Sequence, residues 1–339
     1  MRPRRLFLAL ASILLLTHAA SATTLKIATI APGGSSWLVE MQATAARIAE
    51  RTQDRVKLKF YPGGVMGNDQ TVLRKMRAGQ LHGAALPSGA LGRIHPDVDL
   101  YSLPLMFRSY AEIDHVRERM DPPLVAALEG KGFVALALSE NGFAYFMSER
   151  PTRRVADLSG ARVWIPEDDI MSGTALEVSG VSPVQLPLAD VYTALQTGLV
   201  DTVAAPPMGA IAFQWHTKVK YLTDVPLMYL LGLMVIDTRA WSRIEPADQA
   251  VVRELVQSAN ARLQQANRAG DENAREALQQ QGIVFVTASS PEEIERWHDI
   301  TRRALLELRA RKIYSNERID RMKALLKEYR QQGGEVGGR

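Results

Sequence analysis

The chain has 339 residues, 46% of them hydrophobic and 23% charged, with 41 basic residues against 37 acidic and no cysteine. Without cysteine it can form no disulfide and has no thiolate for nucleophilic chemistry or zinc, and no basic stripe interleaved with aromatics marks a nucleic-acid surface. The length suffices for two domains with well-buried cores.

Met1–Ala22 has the three parts of an export signal: Arg2, Arg4 and Arg5, the apolar stretch Leu6–Leu16, and the small-residue site Ala20-Ser21-Ala22. The stretch is too short to span a bilayer. Its Arg4-Arg5 pair fits either general or twin-arginine export. Cleavage after Ala22 would remove three arginines, leaving a nearly neutral chain in the periplasm.

Leu25–Ile30 alternates as a strand does, Ser36–Thr52 has helical spacing, and Val56–Tyr61 alternates again. Such a β-α-β start predicts parallel strands joined by a right-handed crossover. Two similar units then stand well apart in the chain. Met76-Arg-Ala-Gly79 leads into Ala84-Ala85-Leu86-Pro87, and Leu195-Gln-Thr-Gly198 leads into Val203-Ala204-Ala205-Pro206. Each reads as a helix end, a stopping glycine, an apolar strand and a proline that closes it. Two α/β halves facing one another would place both proline loops beyond the strand ends, where open sheets bind ligands.

Between these units the pattern predicts a helix over Tyr110–Glu129, strands over Val134–Leu138 and Phe143–Met147, and a crossing between lobes at Ser148–Ala156. A strand at Arg162–Ile165, a helix at Ile170–Ser179 and a strand at Pro183–Leu186 precede the second unit. A helix near Met208–Thr217 and the apolar run Val225–Ile236 follow it. Pro246–Gln281 is helical for about 35 residues, roughly 50 Å, long enough to brace both lobes. Gly270 is its candidate kink. After a strand at Ile283–Val286, two charged helices close the chain, with Glu292/Arg296, Glu307/Arg311 and Glu317/Arg321 four residues apart. The expected organisation is therefore an export signal over 1–22, one lobe from 23–147 plus about 225–255, a second from 148–224 plus about 256–330, and a disordered tail over 331–339.

No catalytic set emerges. Beyond the export signal, the histidines His82, His95, His115, His216 and His298 include no pair at metal-ligand helical spacing, and neither a metal nor a cofactor is expected. Pro62-Gly-Gly-Val-Met-Gly67 lacks the lysine of a phosphate loop. Glu167-Asp168-Asp169 reads either as paired carboxylates for acid/base work or as the acidic start of the helix from Ile170. The sequence points away from an enzyme.

The order of elements resembles the periplasmic solute-binding proteins of tripartite ATP-independent periplasmic (TRAP) transporters, the C4-dicarboxylate-receptor type. The markers are Gly67 with the helix behind it, Leu103-Pro-Leu-Met-Phe107, Asp157-Leu-Ser-Gly160 and Val191-Tyr-Thr-Ala-Leu-Gln-Thr-Gly-Leu-Val-Asp201. The resemblance covers about Leu25 to Leu308. It implies a two-lobed α/β periplasmic binding protein fold with a ligand cleft between the lobes and a long helix spanning both, and TRAP membrane subunits as partners.

In that family an arginine after the Asp-Leu-x-Gly stretch forks onto the ligand carboxylate, which a planar guanidinium matches bidentately. Its position here is Trp164. A second family arginine falls at Ala144, and the asparagine closing the Val-Asp stretch falls at Ala205. Arg162 shares the predicted strand face of Trp164 and is the one local candidate for a displaced clamp. Around it the expected lining is Phe143, Tyr145, Trp164, Leu188, Ala205, Pro206 and Met208, with Trp37, Trp215, Asn68, Ser88 and Glu167 completing the candidate set.

An acid buried without arginine keeps its desolvation cost, so this lining predicts an apolar or amphipathic ligand, lipid-like or aromatic. Three alternatives stand beside it: an organic acid clamped by Arg162, a cationic amine boxed by aromatics and neutralised by Glu167 or Asp168, and a docking protein for a periplasmic helical-repeat partner, a kind of partner some relatives with apolar pockets use. Closure on ligand would bend Met147–Pro151 and Thr223–Leu227.

Overall fold

The computed structural model describes residues 22–288 and 290–333. The export signal before Ala22 and the tail beyond Gly333 lie outside the described residues.

The chain opens as predicted, with β1 (Thr23–Thr29), α1 (Ser36–Arg51) and β2 (Val56–Tyr61), and β1 and β2 pair in parallel. α2 (Asp69–Arg77), capped by the Asn68 side chain, ends before Gly79 and leads into β3 (Gly83–Pro87), which lies parallel to β1 on its other side. A short α3 (Ser88–Leu91), a 3-10 segment (Pro96–Ser102) and α4 (Tyr110–Glu129) follow.

The two strands expected at Val134–Leu138 and Phe143–Met147 are one strand, β4 (Phe133–Ser148). It stays continuous because two bulges, between Ala135 and Ala137 and between Glu140 and Gly142, absorb the break in alternation. The second lobe's elements are shorter than predicted: β5 (Trp164–Ile165), α5 (Ile170–Val178), β6 (Val184–Gln185), α6 (Val191–Thr197), β7 (Thr202–Ala205) and α7 (Pro207–Ala212). The helix expected over Met208–Thr217 breaks at Gln214, whose φ of 59° is left-handed, and resumes as a 3-10 turn at Trp215–Thr217. β8 (Tyr221–Thr223), β9 (Met228–Asp237) and the short α8 (Thr238–Trp241) lead to α9 (Pro246–Gln280), whose helix is uninterrupted at Gly270. β10 (Val284–Val286), α10 (Pro291–Ala310) and α11 (Asn316–Gln331) complete the chain.

The first lobe's sheet runs β2-β1-β3-β9-β4, with β9 antiparallel to both its neighbours. β4 pairs with β9 as far as Ala144, then from Tyr145 onward with β7 and β8 of the second lobe. The strand thus changes partners at Tyr145, shortly before the expected crossing at Ser148–Ala156. α9 packs its Val252, Val256 and Ala259 into the first lobe's core and buries Leu278 in the second. The repeated glycines have matching roles: Gly79 and Gly198 have φ of 69° and 72°, the left-handed conformation that stops a helix. The three acid–arginine pairs expected on the closing helices do not form; Glu293–Arg296 and Asp299–Arg303 form instead.

Candidate functional site

A cavity of about 390 Å³ lies between the lobes. Both proline loops reach it, Ala85–Pro87 and Ser88 from one side and Ala204–Pro206 from the other, as the repeat predicts. α9 supplies the floor through Asn260, Leu263, Gln264, Asn267 and Asp271.

Trp164 is part of the cavity wall. Its indole N–H donates to the Leu186 carbonyl at 3.0 Å, which fixes the ring, and its edge meets Trp215 at 5.3 Å and 73°. Phe213 stacks on the far side of Trp215 at 5.4 Å. Leu188, Ala205, Pro206, Met208, Trp37 and Ser88 also line the cavity. With Trp164 and Trp215, most of the predicted set is gathered here.

Phe143 and Tyr145 lie elsewhere. Alternation on β4 sends both away from the cavity, Phe143 against Tyr110 and Tyr229 at 5.1 and 5.8 Å, while Phe146 on the opposite strand face lines it. Tyr145 sits beneath the Arg275 guanidinium at 5.2 Å. Arg162 also points elsewhere, to Asp201 at 3.0 Å. The face it was expected to share with Trp164 fails because regular strand begins only at Trp164. Glu167 and Asn68 stand at the rim and bond each other across the lobes at 2.9 Å. Beside them Asp168 accepts from Gln70 at 3.0 Å and pairs with Arg93. Of the acidic triplet, Asp169 is the helix cap, accepting from the Ser172 amide at 2.8 Å.

The electrostatics run against an acid clamp. Among the described residues no arginine, lysine or histidine lines the cavity, whereas Asp69, Asp99, Asp169 and Asp271 do. Burial, reinforced by Asp168 and Glu167, pushes Asp69 up to about 6. Burial and then the Asp169 carboxylate push Asp99 up to about 7, although Ser88 donates to it at 2.8 Å. Burial raises Asp271 as well, against the opposing pull of its Tyr110 hydrogen bond. Glu140, also at the wall, is by contrast fully matched by Arg268 at 2.7 Å. No group among the described residues could hold a metal ion, and no helix among them is long and apolar enough to cross a membrane.

Sequence reasoning missed two sets of lining residues. The α9 floor had a readable signal: Asn260, Gln264, Asn267 and Asp271 stand at spacings of four, three and four, a polar stripe on one helix face. Asp69 and Asp99 had none, because lobe packing alone brings them to the cavity.

The family model for bacterial extracellular solute-binding protein, family 7 (DctP), matches residues 27–312. The chain is 26% identical over 245 residues to the 2,3-diketo-L-gulonate-binding periplasmic protein YiaO of Escherichia coli, covering 71% of this chain and 74% of that protein. It is likewise 26% identical over 254 residues to the sialic acid-binding periplasmic protein SiaP of Vibrio cholerae, covering 73% and 78%. A TRAP periplasmic solute-binding protein from Ralstonia eutropha, solved with bound (S)-2-acetolactate, superposes with a TM-score of 0.83 at 21% identity over 90% of this chain and 99% of that one. DctP7 of Bordetella pertussis, an extracytoplasmic solute receptor binding pyroglutamic acid, gives 0.82 at 18% identity over 90% and 100%. These are binding receptors, with no enzyme among them. With the two-lobed fold and the interlobe cavity in place, the chain belongs to the DctP family, the periplasmic solute-binding proteins of TRAP transporters.

Proposed function

We propose that this receptor captures a solute with an apolar or aromatic body, closes its lobes over it and delivers it to TRAP membrane subunits, without an arginine clamp. The observation that carries the reading is the lining: Trp164 stands in the wall, and no basic side chain among the described residues reaches the cavity. Burying apolar surface contributes roughly 25 cal/mol per Å² and requires no charge partner. A buried carboxylate here would face Asp99 and Asp169 with nothing to offset its desolvation. The named relatives bind acids, so support for this ligand class comes from the cavity alone. Arg162, held by Asp201, offers no substitute clamp, and a helical-repeat partner has no observation behind it. Export with cleavage after Ala22 completes the reading.

The test is native mass spectrometry of protein recovered from a bacterial periplasm, followed by solvent extraction. The expected passenger has an apolar body and is lost in Trp164→Arg. Recovery of an organic acid that Arg162→Ala releases would sink the proposal.

A further inference from the structure

The cavity's charge is as informative as its apolar walls. Asp99 comes from the 3-10 segment of the first lobe and Asp169 from the cap of α5 in the second; both line the cavity, and the Asp169 carboxylate is near enough to hold Asp99 up. Asp99 is only 6% exposed. Its partners are hydroxyls, from Ser88 at 2.8 Å and from Ser102, and neither acid has a cationic partner. Of the nearby cations, Arg318 holds Asp97 at 3.0 Å and Arg93 is taken by Asp168 at the rim, while Arg311 donates to the neutral Thr174 hydroxyl at 3.3 Å and makes no ion pair with either acid. The remaining group facing the pair is the Tyr314 phenol, which is neutral.

Two like charges facing one another in a buried place repel, and both pay desolvation. An uncompensated acid pair at a cavity wall is therefore a site missing its positive charge. Asp271 adds a third acid at the floor, and Trp164, Trp215 and Phe213, whose ring faces are electron-rich, line the same cavity. Resting on the arginine-free reading of the cleft, we propose that the solute is a cation, a protonated amine whose ammonium seats between Asp99 and Asp169 beside Ser88 while its apolar body lies against Trp164 and Trp215. The ammonium has three donors for the two carboxylates and the Ser88 hydroxyl. Because the two acids come from different lobes, binding one ammonium closes the cleft by bridging them.

Three bodies (indolylethyl, phenylethyl and n-octyl), each carrying an ammonium, a hydroxyl or a carboxylate head, test this by calorimetry on the mature protein at pH 8. The expected order within every series is amine, then alcohol, with no acid binding. Asp99→Asn should weaken the best amine by about a hundredfold and bring amine and alcohol within about threefold of each other. Asp169→Asn, which keeps the helix cap, should do the same. Folding of each variant is checked by melting, where Asp99→Asn should raise the ligand-free midpoint because the repulsion is gone. Alcohols binding as well as amines to the wild type would overturn the amine while leaving the apolar cleft intact. Acids binding best, or no member of any series binding, would overturn both.

Discussion

Removing Arg268 tests what anchors α9 against the first lobe. This α9 side chain bonds Glu140 of β4 through Nε at 2.8 Å and Nη2 at 2.7 Å, and Asp114 of α4 through two bonds of 2.7 Å. Its guanidinium also lies 4.7 Å from the centre of the Tyr110 ring. The two acids differ sharply in setting: the Asp114 side chain is 52% exposed, whereas that of Glu140 is 0% exposed. The Asp114 bonds should therefore contribute no more than about 1 kcal/mol. Stripping the partner from buried Glu140 is the larger effect, costing about 3–5 kcal/mol, because the Tyr229 hydroxyl at 2.9 Å is left as its side-chain donor. Arg268→Ala should lower the melting midpoint by about 6–10 °C, taking roughly 2 °C per kcal/mol for a chain of this size. Adding Glu140→Gln removes the stranded charge and should recover about half of the loss. Urea unfolding of the four proteins of this cycle measures the coupling directly. A midpoint shift under about 2 °C, or a double variant no more stable than Arg268→Ala, would refute the claim that a buried ion pair secures α9.

Asp99, raised to about 7, and Asp69, raised to about 6, keep their protons in the folded state at pH values where an unfolded aspartate has lost them. Ligand-free stability from these groups should therefore be present near pH 4 and be lost as pH rises to about 7. Half-buried His95 and His298, whose lowered affinity for protons acts in the opposite direction, cancel in the difference between wild type and Asp99→Asn; a wild-type melting profile parallel to that of the variant would count against the acid pair. At the rim, Arg93→Ala removes an exposed pair worth up to about 1 kcal/mol and should raise the open fraction by at most about fivefold, seen as a larger radius of gyration by small-angle X-ray scattering; no change with Gln70→Ala added would mean that the rim contacts do not hold closure. Arg162→Ala should leave the ligand response in place, since its partner Asp201 lies outside the cavity; loss of binding in calorimetry would restore the displaced-clamp reading.

Local periodicity carried most of the fold. Tyr110–Glu129 is a helix over the predicted range, and Gly79 and Gly198 stop helices in both units as their positions imply. Periodicity failed where a long-range partner decides the outcome. β4 reads as two strands because its bulges interrupt alternation, yet pairing with β9 and then with β7 and β8 makes it one. Phe143 and Tyr145 lie on the face of that strand turned away from the cavity, opposite Phe146. Trp164 was legible because the family pattern marks its position, and the proline loops because a repeat marks theirs. Asp99 was not: it lies in a 3-10 segment with no motif, and its significance depends on meeting Asp169 from another lobe.

β4 and β9 form a ladder from Phe133↔Asp237 to Ala144↔Met228, interrupted by two bulges and ending where one lobe gives way to the other. Two bonded strands at a junction bend as a stiff ribbon, storing energy in proportion to the swing, instead of pivoting freely like a loose tether. The part of this receptor about which motion occurs should then be among its slowest to exchange amide hydrogens, while the rim that travels farthest exchanges quickly. A reporter placed at the junction would stay silent through a full cycle, and one on Asn68 or Glu167 would register every closing.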